Sequence, residues 1–118
     1  MTNDSQSSSA AGDAPALDAV TVLAALASDV RWQAMTMMAD GMAISASDLA
    51  AASGRDVDSA GKHLRVLRTS GAVDWRAGED TRFTLYFIPE KFRPQPGVVD
   101  YGFCMLRIAS AKSALAKD

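Results

Sequence analysis

Asp58-Ser-Ala-Gly-Lys-His-Leu-Arg-Val-Leu-Arg-Thr-Ser-Gly71 is the stretch that decides the fold. Ala60, Leu64 and Leu67 recur at i, i+4 and i+7, which places them on one apolar helix face. Lys62, His63, Arg65 and Arg68 point elsewhere. Asp58 or Ser59 suits the start, because a short side-chain oxygen accepts from free backbone N–H groups. Gly71 suits the end, where the chain turns left-handed. A short helix with one buried face and an outer face of Ser, Lys, His and Arg fits a DNA major groove. The same pattern also describes a solvated amphipathic helix, so the flanking segments decide.

Upstream, residues 1–14 hold Ser, Asn, Asp, Gly and Ala with almost no large apolar group. Such a segment buries too little surface to offset its ordering entropy and is expected to be a disordered tail. Pro15 suits a first helical turn. Leu17, Val20, Leu23, Ala24 and Ala27 then recur at helical spacing, predicting a helix over about 16–27. Ser28-Asp29 opens a second helix, with Trp32, Met35 and Ala39 on a face joined by Val30, Ala34 and Met38, and Asp40-Gly41 stops it. Trp32 is expected as a core anchor. Met35, Met37, Met38 and Met42 are read as core filler rather than soft metal ligands. Ser45 or Ser47 caps a short helix over about 46–52, closed by Gly54. Joined to the helix quoted first by Gly54-Arg55-Asp56-Val57, it makes a helix-turn-helix.

Downstream, the period changes from 3.6 to 2. Val73 and Trp75 alternate with Asp74 and Arg76, and Phe83, Leu85 and Phe87 alternate with Arg82, Thr84 and Tyr86. Ala77-Gly78-Glu79-Asp80 is the turn of this β-hairpin. Pro89, Pro94 and Pro96 then break regular structure. Residues 98–108 are apolar and read as a strand or a helix, with β-branched and aromatic residues favouring strand. The last ten residues look like a weak helix or a frayed tail. The expected fold class is α+β, mainly α: a winged helix-turn-helix over 15–92, with a strand-like extension over 93–118 as a dimerisation element. Leu17, Val20 and Leu23 on the first helix and Val99, Tyr101, Phe103 and Met105 near the C-terminus make an apolar patch expected to pair two copies. The alternative is that the extension folds back onto its own wing and completes the monomer core.

The composition narrows the function. The chain of 118 residues suits one modest core. No apolar run reaches the roughly 18 residues that cross a membrane, and the polar start lacks a signal core, so a cytoplasmic location is expected. Cys104 is the one cysteine, which excludes an internal disulfide and a thiolate zinc site. The chain offers no nucleophile–His–acid pattern, phosphate-binding glycine loop or metal cluster, so neither an enzyme nor a cofactor is expected. The net charge of −2 is unevenly spread. Residues 1–29 hold Asp4, Asp13, Asp18 and Asp29 and no cation, whereas residues 59–76 hold Lys62, Arg65, Arg68 and Arg76 against Asp74 alone.

Three segments resemble the ArsR-type family of small bacterial repressors. Residues 26–41, Leu-Ala-Ser-Asp-Val-Arg-Trp-Gln-Ala-Met-Thr-Met-Met-Ala-Asp-Gly, are similar to the family's Leu-Ala-Asp-Pro-Thr-Arg-Leu-x-Ile-Leu-x-Leu-Leu-x-x-Gly. Ser47-Asp48-Leu49-Ala50 resembles the opening of its helix-turn-helix. Residues 61–73 resemble its most specific run, Ser-x-His-Leu-x-x-Leu-x-x-Ala-Gly-Leu-Val. The resemblance spans about residues 20–88 and implies a homodimeric repressor on a two-fold operator of double-stranded DNA. It does not carry metal sensing. The family's Cys-x-Cys positions read Ser45-Ala46-Ser47, and hydroxyls are poor ligands for soft ions. His63 is the one histidine, too few for the family's other metal site. The family's long last helix is also missing from the pattern of 93–108.

On this reading Ser59, Lys62 and His63 face base edges, and Arg65 meets a base or a phosphate. Gly61 gives close approach to the DNA backbone. Arg55 and Arg68 are phosphate candidates, and Arg76 and Arg82 flank the wing turn toward the minor groove. Glu79 and Asp80 at the tip oppose that contact. The other reading is a winged-helix module that binds protein through this acidic wing and the apolar C-terminal segment. An inducer is not legible in the residues.

Overall fold

A computed structural model describes residues 17–108. The expected tail over 1–14, the residues of the first helix before Leu17, and the last ten residues lie outside the described residues. Four helices come first: α1 (Ala19–Leu26), α2 (Asp29–Met38), α3 (Ala46–Ser53) and α4 (Val57–Ser70). Two antiparallel hairpins follow, β1 (Asp74–Ala77) with β2 (Thr84–Phe87), and β3 (Val98–Asp100) with β4 (Met105–Arg107). A 3-10 turn at Glu90–Phe92 joins them. The first hairpin is the wing of a winged helix-turn-helix whose two central helices are α3 and α4.

Each helix begins where a short polar side chain satisfies orphan backbone donors. Asp18 caps α1 at Thr21, and Ser28 caps α2 at Arg31. Ser45 and Asp48 form a reciprocal capping box on α3, with bonds of 2.8 and 3.1 Å. Asp56 caps α4 through the amide of Ser59 at 2.7 Å, so the helix starts at Val57, ahead of the expected Asp58 or Ser59. Asp56 wins because it still has extended backbone geometry, whereas Asp58 and Ser59 are already inside the first turn. Gly54 and Gly71 end α3 and α4 in the left-handed conformation, at φ 73° and 90°.

Leu64, Leu67 and Ala60 of α4 sit fully buried at the centre of the domain. Val22, Ala25 and Leu26 of α1, Met35 and Met38 of α2, and Leu49 of α3 close around them. On α1, Val20 and Leu23 are exposed, in keeping with the apolar surface patch read from the sequence, and Val22 takes the inner side. α1 is apolar nearly all round, so spacing alone could not select its inner side. Trp32 is corrected, since it stands 38% exposed beside a core filled by Val30, Ala34 and Met38. Of the methionines, Met35 and Met38 fill the core, Met37 packs partly against it, and Met42 is exposed.

The hairpin forms in the expected place, but its inner face is reversed. Tyr86 and Ile88 are buried, whereas Phe83 is exposed and Leu85 and Phe87 are half-buried. The cause lies before α3. Ile44 pairs with Tyr86 as a third, one-residue strand, through bonds of 2.7 and 2.8 Å, and docks that side of β2 on the core.

Residues 98–108 form a hairpin rather than one strand, turning at Gly102 with φ 95°. Val99, Tyr101 and Ile108 join the same core as the helices, so the extension completes the domain's own core; Val99 and Tyr101 are thereby corrected from the expected dimer patch, and Phe103 and Met105 remain exposed. The Tyr101 hydroxyl donates to the Ala72 carbonyl at 2.7 Å, and its ring meets Phe92 edge-on at 5.0 Å. This side chain ties the second hairpin to the joint between α4 and the wing.

Tyr101→Phe removes the hydroxyl that donates to the Ala72 carbonyl and takes that partner from a buried acceptor. The expected loss is about 1–3 kcal/mol of stability, read as a lower urea midpoint at unchanged slope. Burial first, and then the nearby Cys104, push the Tyr101 phenol well above its ordinary range. A group raised in the folded state stabilises fully below its unfolded pKa, about 10, and loses that contribution as pH rises further. Alkaline unfolding of the native chain is thus expected to begin above about pH 10, and Tyr101→Phe is expected to blunt it.

Candidate nucleic-acid interface

The outer face of α4 follows from its inner one. With Ala60, Leu64 and Leu67 buried, Lys62, Arg65 and Arg68 are held in solvent, and Ser59 is half-buried at the first turn. Among the described residues, Lys62 and Arg65 enter no hydrogen bond or ion pair with other side chains. Arg55 is exposed in the turn between α3 and α4. Gly61, one turn before Arg65, is buried, and a Cβ there would meet Nη1 of Arg65 at 3.4 Å and the Cβ of Ala46 at 3.8 Å, ordinary contacts that leave room for an alanine.

His63 is turned partly inward. Its Nδ1 accepts from Nη1 of Arg31 at 3.0 Å, while Nε of Arg31 donates to the Ala25 carbonyl at 2.5 Å. One guanidinium thus joins the end of α1, the start of α2 and the middle of α4. An accepting Nδ1 leaves the ring proton on Nε2. Sequence reasoning quoted Arg31 within the first family-like segment but gave it no role. Its only signal was a lone arginine among core residues. Burial first, and then the cations Arg31 and Arg55, hold the His63 pKa below its ordinary value.

The wing carries its cations on aromatic rings. Arg68 lies over Trp75 at 4.9 Å, Arg76 over Phe87 at 5.8 Å and Arg82 over Phe83 at 5.9 Å. Arg82 also pairs with Asp80 at 2.7 Å, which raises the guanidinium pKa and lowers that of the carboxyl. Both groups are solvent-exposed, and the pair adds little stability. Ser59, Lys62 and Arg65 therefore follow one another at three-residue spacing along one side of α4, with Arg55 exposed in the turn before it, Arg68 at the end of α4 and Arg76 on the wing. His63 stands behind this surface, Gly61 is inside the fold, and Arg82 is already paired. Asp58, one turn before Lys62 and exposed, adds a negative charge to the same end of α4.

No protein-family model matches the chain, and no curated protein matches it. Solved structures do. HlyU from Vibrio cholerae is 28% identical over 59% of this chain and 73% of its own, with a TM-score of 0.53. A transcriptional regulator HlyU from Vibrio vulnificus is 28% identical over 59% and 70%, at 0.50. The homodimeric winged helix-turn-helix DNA-binding domain of a possible ArsR-family transcriptional regulator from Mycobacterium bovis is 27% identical over 62% and 66%, at 0.54. The chain resembles ArsR-type winged helix-turn-helix regulators in both sequence and fold.

The Arg31–His63 link has a pH signature. His63 is depressed in the folded state, so the unfolded chain binds more protons between the two pKa values. Stability is then complete above the unfolded value, about 6.5, and falls as pH drops below it. The melting temperature is expected to fall between about pH 7.5 and 5.5. His63→Asn, which keeps an acceptor at the Nδ1 position and cannot titrate, is expected to flatten that fall. An equally steep fall in the variant overturns the assignment.

Proposed function

We propose that this chain is a sequence-specific DNA-binding transcriptional repressor that acts as a homodimer on a two-fold operator. The observation that carries the reading is the exposed cationic edge of α4, without an ion pair among the described residues. Lys62 and Arg65 project from a helix whose opposite edge is locked in the core. The resemblance to regulators, one of them with a homodimeric DNA-binding domain, supports the same reading.

In this reading Lys62 and Ser59 meet base edges in the major groove, and Arg65 meets a base or a phosphate. Arg55 and Arg68 grip phosphates on either side. Arg76 reaches from the wing toward the minor groove, with Arg82 joining only after leaving Asp80. His63 sets the position of α4 through Arg31 rather than reading a base itself. Asp58, Glu79 and Asp80 repel phosphate, so affinity is modest and falls steeply with salt. The second copy is recruited by apolar groups that the monomer leaves outside: Leu23 on α1, and Phe103 and Met105 on the second hairpin. A two-fold pairing there places the two recognition helices roughly 34 Å apart, on successive major grooves.

Selection and sequencing of genomic fragments retained by the protein would identify the operator. On that operator Lys62→Ala and Arg65→Ala are each expected to weaken binding. Loss of a phosphate contact lowers the slope of log affinity against log salt by about one, and loss of a base contact costs about 1–3 kcal/mol. Circular dichroism is expected to be unchanged in both. Undiminished affinity in both variants would sink the assignment. Leu23→Asp is expected to shift the sedimentation of the free protein from dimer to monomer.

A further inference from the structure

A groove of about 760 Å³ runs between α1 and α4, on the flank of the recognition helix. This volume lies within the usual range for small-molecule sites. The groove carries its cations at one end only. α1 and α4 run antiparallel, because Leu17 before α1 touches Gly71 after α4, and Arg31 joins Ala25 to His63 at the opposite end. Arg31, Lys62 and Arg65 therefore share one end, and no Asp or Glu lines the groove. Ala24 and Val66 form the middle, and Val20 stands near the far end.

Two of the three hydroxyls at the far end are already used, and Thr69 keeps its own. Thr21 donates to Asp18 at 2.5 Å, and Ser70 donates to the Leu67 carbonyl at 2.7 Å while accepting from the Ala72 amide at 3.1 Å. These residues thus offer a ligand mainly their carbon atoms. From Lys62 to Thr69 the helix rises about 10 Å, which is the reach of a medium-length hydrocarbon chain.

We propose that this groove binds a small amphipathic anion, one carboxylate on an apolar body of about ten carbons' reach. The carboxylate meets Lys62 and Arg65, beside Arg31, and the body lies along Ala24, Val66 and Val20. Because Lys62 and Arg65 also belong to the proposed DNA surface, the anion and DNA compete for the same two cations. The ligand is then an inducer. That regulatory half rests on the DNA-binding reading, whereas the binding half does not.

Decanoate is the probe, kept well below its micelle concentration, with decanol and decyltrimethylammonium as matched neutral and cationic chains. Titration calorimetry and methyl chemical shifts on the full chain without DNA are expected to show one decanoate per chain, with shifts at Val20, Ala24 and Val66. Decanol is expected to bind roughly tenfold more weakly, the worth of one charge-assisted pair. The cation is expected not to bind. Ala24→Phe fills the groove and is expected to abolish binding. Val66→Glu, at a site 42% exposed and so tolerant of a polar group, is expected to do the same by repulsion.

With the operator present, decanoate at ten times its Kd is expected to weaken DNA binding about tenfold in the native chain, and not in Ala24→Phe. Equal affinity for decanoate and decanol, shifts located elsewhere, or undiminished binding in both folded variants would overturn the site. Dissociation of a dimer by Ala24→Phe would overturn it too, by making the groove a contact between copies. Saturable decanoate binding in a chain that binds no DNA would uphold the site and remove the repressor reading alone.

Discussion

The apolar edge of α4 is the constraint on which the rest of the domain depends. Ala60, Leu64 and Leu67 are each buried completely, and three other helices gather on them. An edge so enclosed leaves the helix no freedom to roll about its axis. The exposure of Lys62 and Arg65 is therefore a packing result before it is an electrostatic one. Arg31 completes the constraint, because its guanidinium ties α4 to α1 and α2 through His63 and Ala25.

What could be read from the sequence was whatever the local chain dictates. The caps at Ser28 and Ser45, the stops at Gly54 and Gly71, and the inner face of α4 all follow from neighbouring residues. Each is a choice in which one pattern is clearly better than its rivals. The candidate surface was legible for the same reason. Lys62 and Arg65 alternate with leucines that cannot be exposed together, so their direction was decided by Leu64 and Leu67.

The missed features depend on contacts distant in sequence. α1 reads Ala-Val-Thr-Val-Leu-Ala-Ala-Leu, where nearly any phase buries apolar groups. Only its neighbours select Val22 over Val20. β2 is apolar on both faces, and the bridge from Ile44, about forty residues earlier, chooses Tyr86 for the inside. The inward turn of His63 needed Arg31, which lies 32 residues away. In the second hairpin, the sheet is only three residues wide at each strand. Its fold depends on Tyr101 finding Ala72, a long-range bond that no local pattern announces.

The wing tip has a consequence for how the molecule would hold DNA. Arg82 carries its own counterion in Asp80. In the proposed complex a phosphate would have to displace that carboxylate before it met the guanidinium, so the wing tip would be the weaker grip, and the exposed Lys62 and Arg65 would carry most of the response to salt.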